Sequence, residues 1–307
     1  MIDSEDVRAA ARRIGDRVRR TPVQQAGPRL WFKLEQTQYA GSFKTRGMFN
    51  QIVAAATRGV LPSAGIVAAS GGNAGLAAAY AARELGVPAE VYVPSTAPAI
   101  KVSKLRKLGA SVVQTGAEYA EAYAAAVEWA QASGAYFCHA YDDDDMVAGN
   151  GTLGLELLDQ LPAGFDTVLV AVGGGGLIAG MIAALRTSDV SVVAVEPATS
   201  AALHAALEAG HPVDVPVSGV AADSLGARRA GEIAFELARD AAIRSLLVDD
   251  KAIVDARRRL WDDYRLVVEH GTAAAYAALT SGVYVPEPQE RVVVLLCGAN
   301  TDPSDLV

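Results

Sequence analysis

Apolar runs of four to six residues alternate with longer segments whose apolar positions recur every three or four residues, and the alternation continues from end to end. The short runs at 30–35, 65–69, 90–93, 111–114, 136–139, 167–172, 190–195 and 291–296 are predicted strands. The periodic segments at 4–19, 48–56, 74–85, 101–107, 117–131, 146–161, 177–185, 199–208, 231–241, 250–263 and 272–280 are predicted helices. Ser4 before Glu5 and Asp6 has the form of a capped helix start, and Thr21-Pro22 closes that segment. Strands that are apolar throughout, joined by helices, imply an α/β fold whose parallel sheets are covered on both faces. Residues 63–140 hold a strand and helix set of their own. The expected organisation is therefore a small domain, 63–140, inserted into a larger one built from 1–62 and 141–307.

Composition narrows the class. A chain of 307 residues with 51% hydrophobic content has ample material for a buried core. A formal charge of -8 argues against a nucleic-acid partner held through phosphates. Arg12, Arg13, Arg17, Arg19 and Arg20 form the one dense basic cluster, read as a solvated face of the first helix. No basic-then-apolar leader pattern opens the chain and no apolar run has the length of a membrane span, so the expected location is the cytoplasm. Cys138 and Cys297 lack the spacing of a metal site or a disulfide framework and read as reduced thiols.

In open parallel sheets ligands bind beyond the carboxyl ends of strands, which directs attention to the loops at Ser70, Gly173 and Cys297. Gly173-Gly174-Gly175-Gly176 follows a strand and opens a helix, an arrangement that aims backbone N–H groups at a phosphate. A plain tight turn is the competing reading. A P-loop fails because Met181 stands where its lysine belongs. A dinucleotide fingerprint comes closer, with Gly173 and Gly175 in place and Glu196 about twenty residues on, but Ile178 occupies the third glycine position. Ser70-Gly71-Gly72-Asn73-Ala74 lies at another strand-to-helix junction and suits a carboxylate, or simply a helix cap. Lys44 stands at a third junction, between Gly41 and Gly47. A phosphate site, a carboxylate site and a junction lysine together suit an amino acid bound to pyridoxal phosphate.

Seven motifs in order carry a resemblance over nearly the whole chain. Lys33-Leu-Glu-Gln36 with Gly41-Ser-Phe-Lys-Thr-Arg-Gly47, Ser70-Gly-Gly-Asn-Ala-Gly75, His139-Ala-Tyr-Asp-Asp143, Ala148-Gly-Asn-Gly-Thr152, Gly173-Gly-Gly-Gly-Leu177, Val195-Glu-Pro197 and Cys297-Gly-Ala-Asn300 resemble the serine/threonine dehydratases among the fold-type-II, tryptophan-synthase-β-like pyridoxal phosphate enzymes. The resemblance implies two open, mainly parallel twisted sheets flanked by helices. It implies Lys44 as the Schiff-base lysine and the base at Cα, Phe43 beside the cofactor ring and Asn73 at its phenolic oxygen. Gly173, Gly174, Gly175, Gly176 and Leu177 would hold the phosphate, and Cys297 would face the pyridine nitrogen. Ser70, Gly71, Gly72, Asn73 and Ala74 would hold the substrate carboxylate. A thiol cannot keep the pyridine nitrogen protonated, so the implied reaction is β-elimination of a hydroxy amino acid such as L-threonine or L-serine to a 2-oxo acid and ammonia.

Departures from the family pattern refine this expectation. Gly71 stands where related racemases carry a serine base, which disfavours racemisation. Ala202 replaces the aspartate that accompanies Glu196 in a divalent-metal site of some relatives, so no metal residue is assigned and a monovalent cation stays open. Asp142 to Asp145 reads as an acidic helix start. His139 is expected to pack at a strand end, and Glu269, followed by the unusual His270, has no assigned role. The chain is expected to lack the carboxy-terminal regulatory domain of biosynthetic members and, by resemblance, to form a homodimer. Two other readings stand beside the dehydratase: a lyase or β-replacement enzyme on another β-substituted amino acid such as 3-hydroxyaspartate, and a non-catalytic amino-acid or nucleotide binding protein.

Overall fold

The computed structural model describes residues 1–306. Ten strands are found among them: β1 (Val23–Gly27), β2 (Leu30–Lys33), β3 (Ile66–Ala69), β4 (Ala89–Val93), β5 (Ser111–Gln114), β6 (Tyr136–Phe137), β7 (Thr167–Ala171), β8 (Ser191–Pro197), β9 (Arg244–Val248) and β10 (Val292–Leu295). The α-helices are α1 (Ser4–Ile14), α2 (Lys44–Thr57), α3 (Asn73–Leu85), α4 (Ala99–Lys107), α5 (Tyr119–Ser133), α6 (Asp144–Gln160), α7 (Gly176–Leu185), α8 (Ala202–Ala209), α9 (Ala222–Leu225), α10 (Glu232–Asp240), α11 (Asp250–Tyr264) and α12 (His270–Thr280). No helix among the described residues is long and apolar enough to cross a membrane.

One sheet runs β1-β2-β10-β7-β8-β9 and the other β5-β4-β3-β6. Every pairing is parallel except that of β1 with β2. The apolar character of the strands has a direct cause in the layering. Val168 and Val170 of β7 enter one core, with α6, α7 and α10, while Leu169 and Ala171 enter the other, with α11 and α12. In β3, Ile66 and Ala68 face α2 and α3 while Val67 and Ala69 face α5. Each face of a strand thus buries its own residues, each large aliphatic contributing about 1.5–3 kcal/mol, and no polar alternation survives.

Some expectations fail locally. Helix α1 ends at Ile14, with Asp3 rather than Ser4 as its N-cap, so the arginines do not share one helix face. Arg13 donates to Asn50, Arg19 lies over the Tyr39 ring and Arg20 pairs with Asp159. Three partners in three places pull the cluster apart. Strands β1 and β9 were not predicted, because both are edge strands whose half-exposed or exposed polar residues, Gln24 and Gln25 or Arg244 and Ser245, dilute the apolar signal.

Candidate active site

The ends of β10 and β7 and the starts of α2, α3 and α12 converge on one cavity, lined by Phe43, Lys44, Asn73, Gly173 to Ile178, Thr272 and Cys297 among others. Backbone pairing draws the distant segments together. Ser42 bridges to Gly298, and the Phe43 N–H donates to the Cys297 carbonyl at 3.0 Å. The start of α2 is thereby tied to the end of β10. Lys44 is the first residue of α2, and its amine donates to the Ala140 carbonyl at 2.5 Å. Burial lowers its pKa from 10.5 to about 8, because desolvation disfavours the ammonium form.

The glycine loop is required by packing as well as by any ligand. Gly175 has a φ of 93°, and a Cβ there would lie 2.3 Å from Ala234. A Cβ on Gly174 would lie 2.4 Å from the Tyr141 ring. These contacts explain part of the glycine run without a phosphate. They do not account for the backbone donors: among the described residues no acceptor pairs with the N–H groups of Gly173, Gly174, Gly175, Gly176, Leu177 or Ile178. A row of unpaired donors at the start of α7 fits an anion, so the residues present fit the phosphate of the expected cofactor. The dinucleotide reading loses its acid. Glu196 is fully buried, and its carboxylate accepts the N–H groups of Leu203 at 2.8 Å and His204 at 2.7 Å at the start of α8. Burial pushes its pKa up to about 7.

A second cavity shares Asn73, Ser224 and Glu269 with the first and is lined also by Gly71, Gly72, Leu76, Lys101 and Asp223. Ser70 and Ala74 do not line either cavity. Ser70 instead accepts the Gly72 N–H through its hydroxyl at 3.2 Å, shaping the loop. Asn73 donates to Glu269 at 2.9 Å and accepts from the Asn300 side chain at 2.7 Å, and the Asn300 N–H also donates to Glu269 at 2.8 Å. Burial raises the Glu269 pKa. Glu269 thus anchors the residue expected at the cofactor's phenolic oxygen.

Cys297 is buried, and desolvation pushes its thiol up to about 12, so it is neutral at ordinary pH. Its sulfur lies 3.2 Å from the Thr272 hydroxyl. His139 lies one residue before Ala140 and accepts the Asp142 N–H at 2.8 Å through Nδ1. It shapes the turn that carries the Lys44 acceptor. Asp142 caps α10 through the Ile233 N–H at 3.1 Å, Asp143 caps α6 and Asp145 pairs with Arg58. Thr272 and Ser224 were missed in the sequence. Neither lies in a loop after a strand, and no residue pattern marks them.

The model of the pyridoxal-phosphate dependent enzyme family matches residues 14–298. The L-threonine ammonia-lyase of Geobacter sulfurreducens is 36% identical over 305 residues, covering 96% of this chain and 75% of that protein. Maize serine racemase superposes with a TM-score of 0.92 at 31% identity, covering 99% of this chain and 95% of its own. The processed form of threonine deaminase isoform 2 from Solanum lycopersicum superposes with a TM-score of 0.90 at 30% identity, covering 99% of this chain and 85% of its own.

Proposed function

The chain belongs to the pyridoxal-phosphate dependent enzyme family, and we propose that it is an ammonia-lyase that eliminates water from a β-hydroxy amino acid such as L-threonine or L-serine. The products are a 2-oxo acid and ammonia. One observation carries the reading to particular residues: a half-buried lysine, its amine desolvated and its pKa brought down to about 8, opens onto a cavity it shares with six unpaired backbone donors.

When bound, pyridoxal phosphate draws electron density away from Cα of the amino acid joined to it. Lys44 would hold its aldehyde carbon, and the N–H groups from Gly173 to Ile178 its phosphate. The substrate carboxylate would meet the backbone of Gly71, Gly72 and Asn73 at the start of α3, where the helix dipole favours an anion. Lys44 would take the Cα proton, and the Ala140 carbonyl would steady the ammonium so formed. The proton and the β-hydroxyl depart as water, and hydrolysis of the enamine left behind gives the oxo acid and ammonia. The neutral Cys297 thiol would face the ring nitrogen. Gly71 brings no proton-bearing side chain to Cα, which favours elimination over inversion.

The same reading takes the working form as a cytoplasmic homodimer acting on a small amino acid with no nucleic-acid partner, in keeping with the net charge of -8. The purified protein with pyridoxal phosphate should be yellow, and borohydride should fix the cofactor on Lys44. L-threonine, L-serine, D-serine and 3-hydroxyaspartate should then be compared for oxo acid, ammonia and optical inversion. A colourless protein that takes up no pyridoxal phosphate, or inversion faster than elimination, would refute the proposal.

A further inference from the structure

Thr272 lies in the first turn of α12, 1% exposed. Its Oγ1 is 2.9 Å from the Gly298 carbonyl oxygen and 3.2 Å from Cys297 Sγ. A carbonyl has no proton to give, so the Thr272 hydroxyl donates to Gly298 and its single proton is committed there. Sulfur is the weaker acceptor and does not compete well for that proton. What Oγ1 presents to Cys297 is therefore a lone pair, and the thiol must be the donor in the second contact. The relay from Cys297 through Thr272 to Gly298 closes on consecutive residues of one strand end, which holds the Cys297 side chain in a single orientation.

We propose that Thr272 is a positioning residue that draws the Cys297 S–H proton away from the cofactor cavity, so that the ring nitrogen of bound pyridoxal phosphate meets sulfur without a committed proton donor. The catalytic consequence rests on the β-elimination reading above; the direction of the thiol proton does not. A ring nitrogen short of a donor is a weak electron sink. Negative charge at Cα then has little lifetime, and loss of the β-hydroxyl keeps pace with loss of the Cα proton.

The test begins with the full chain free of cofactor, in a Cys138→Ala background that leaves Cys297 as the remaining thiol. The infrared S–H stretch should move to higher wavenumber in Thr272→Val, as a freed thiol requires, and stay in place in Thr272→Ser. A band unmoved by Thr272→Val would overturn the proposal, and Thr272→Ala gives the same test if the valine variant does not fold. In the holoenzyme, Thr272→Val should shift the visible band, and solvent deuterium should enter Cα of recovered substrate several-fold faster relative to elimination. Thr272→Ser should reverse both changes. An infrared shift with an unchanged holoenzyme would overturn the effect of Thr272 on the reaction. Failure of the wild-type chain to form any visible band would instead refute the elimination reading.

Discussion

The Lys44 amine and the Ala140 carbonyl are 2.5 Å apart, so the residue that begins α2 is fastened to the chain leaving the smaller sheet. Burial brings that amine from 10.5 to about 8. Only the neutral amine attacks an aldehyde, and a lowered pKa makes it neutral at lower pH than a surface lysine. The rate at which cofactor-free protein takes up pyridoxal phosphate should therefore rise with pH around a midpoint near 8. A stopped-flow record of the growing visible band measures this, and a midpoint near 10.5 would place the amine in water.

Lys44→Ala should abolish turnover and the visible band together. The fold should persist, since the change removes one hydrogen bond at a cost of about 1 kcal/mol. Circular dichroism and thermal melting check the fold, and residual full activity would exclude Lys44 as the base.

Gly71→Ser tests the basis for elimination over inversion. A Cβ at this position would lie 3.5 Å from Val93 Cγ1, an ordinary contact, so a β-carbon is accepted there without displacing its surroundings. The variant should gain measurable inversion of L-serine alongside elimination, read by chiral chromatography of the recovered substrate. No inversion above the wild type would show that a hydroxyl here cannot serve Cα.

Gly175→Ala should be destabilising on two counts. The residue has a φ of 93°, and the added Cβ would lie 2.3 Å from Ala234. Left-handed backbone costs about 1–2 kcal/mol for a residue with a Cβ, and overpacking adds about 1–3 kcal/mol. Thermal melting should show the loss without cofactor present, which separates packing from phosphate binding.

Behind Lys44, Arg46 meets Glu35 at 2.6 Å and pairs with Glu156, while Lys33 meets Glu156 at 3.2 Å, all of them largely buried. Arg46→Met would leave the Glu35 carboxyl group without its main partner in the core. Removing one member of a buried pair costs about 3–5 kcal/mol. Urea unfolding should show a loss of that order, and a loss below about 1 kcal/mol would mean that water reaches the cluster.

Much was determined by the sequence alone. Uniformly apolar runs such as 167–172 announced strands covered on both faces, because each face of β7 has its own core to fill. The junction positions of Lys44, Ser70 and Gly173 followed from the same pattern, since ends of parallel strands are where loops face a ligand. Tertiary structure decided which residues meet. Asn73 and Glu269 are 196 positions apart and hydrogen-bonded, and Thr272 touches Cys297 only because α12 begins beside the end of β10. Such contacts arise when sheets stack and strand ends gather, and no local period records them. The glycine loop shows both sources at once: the chain supplies residues without side chains, while Tyr141 and Ala234 packed against them make those glycines obligatory.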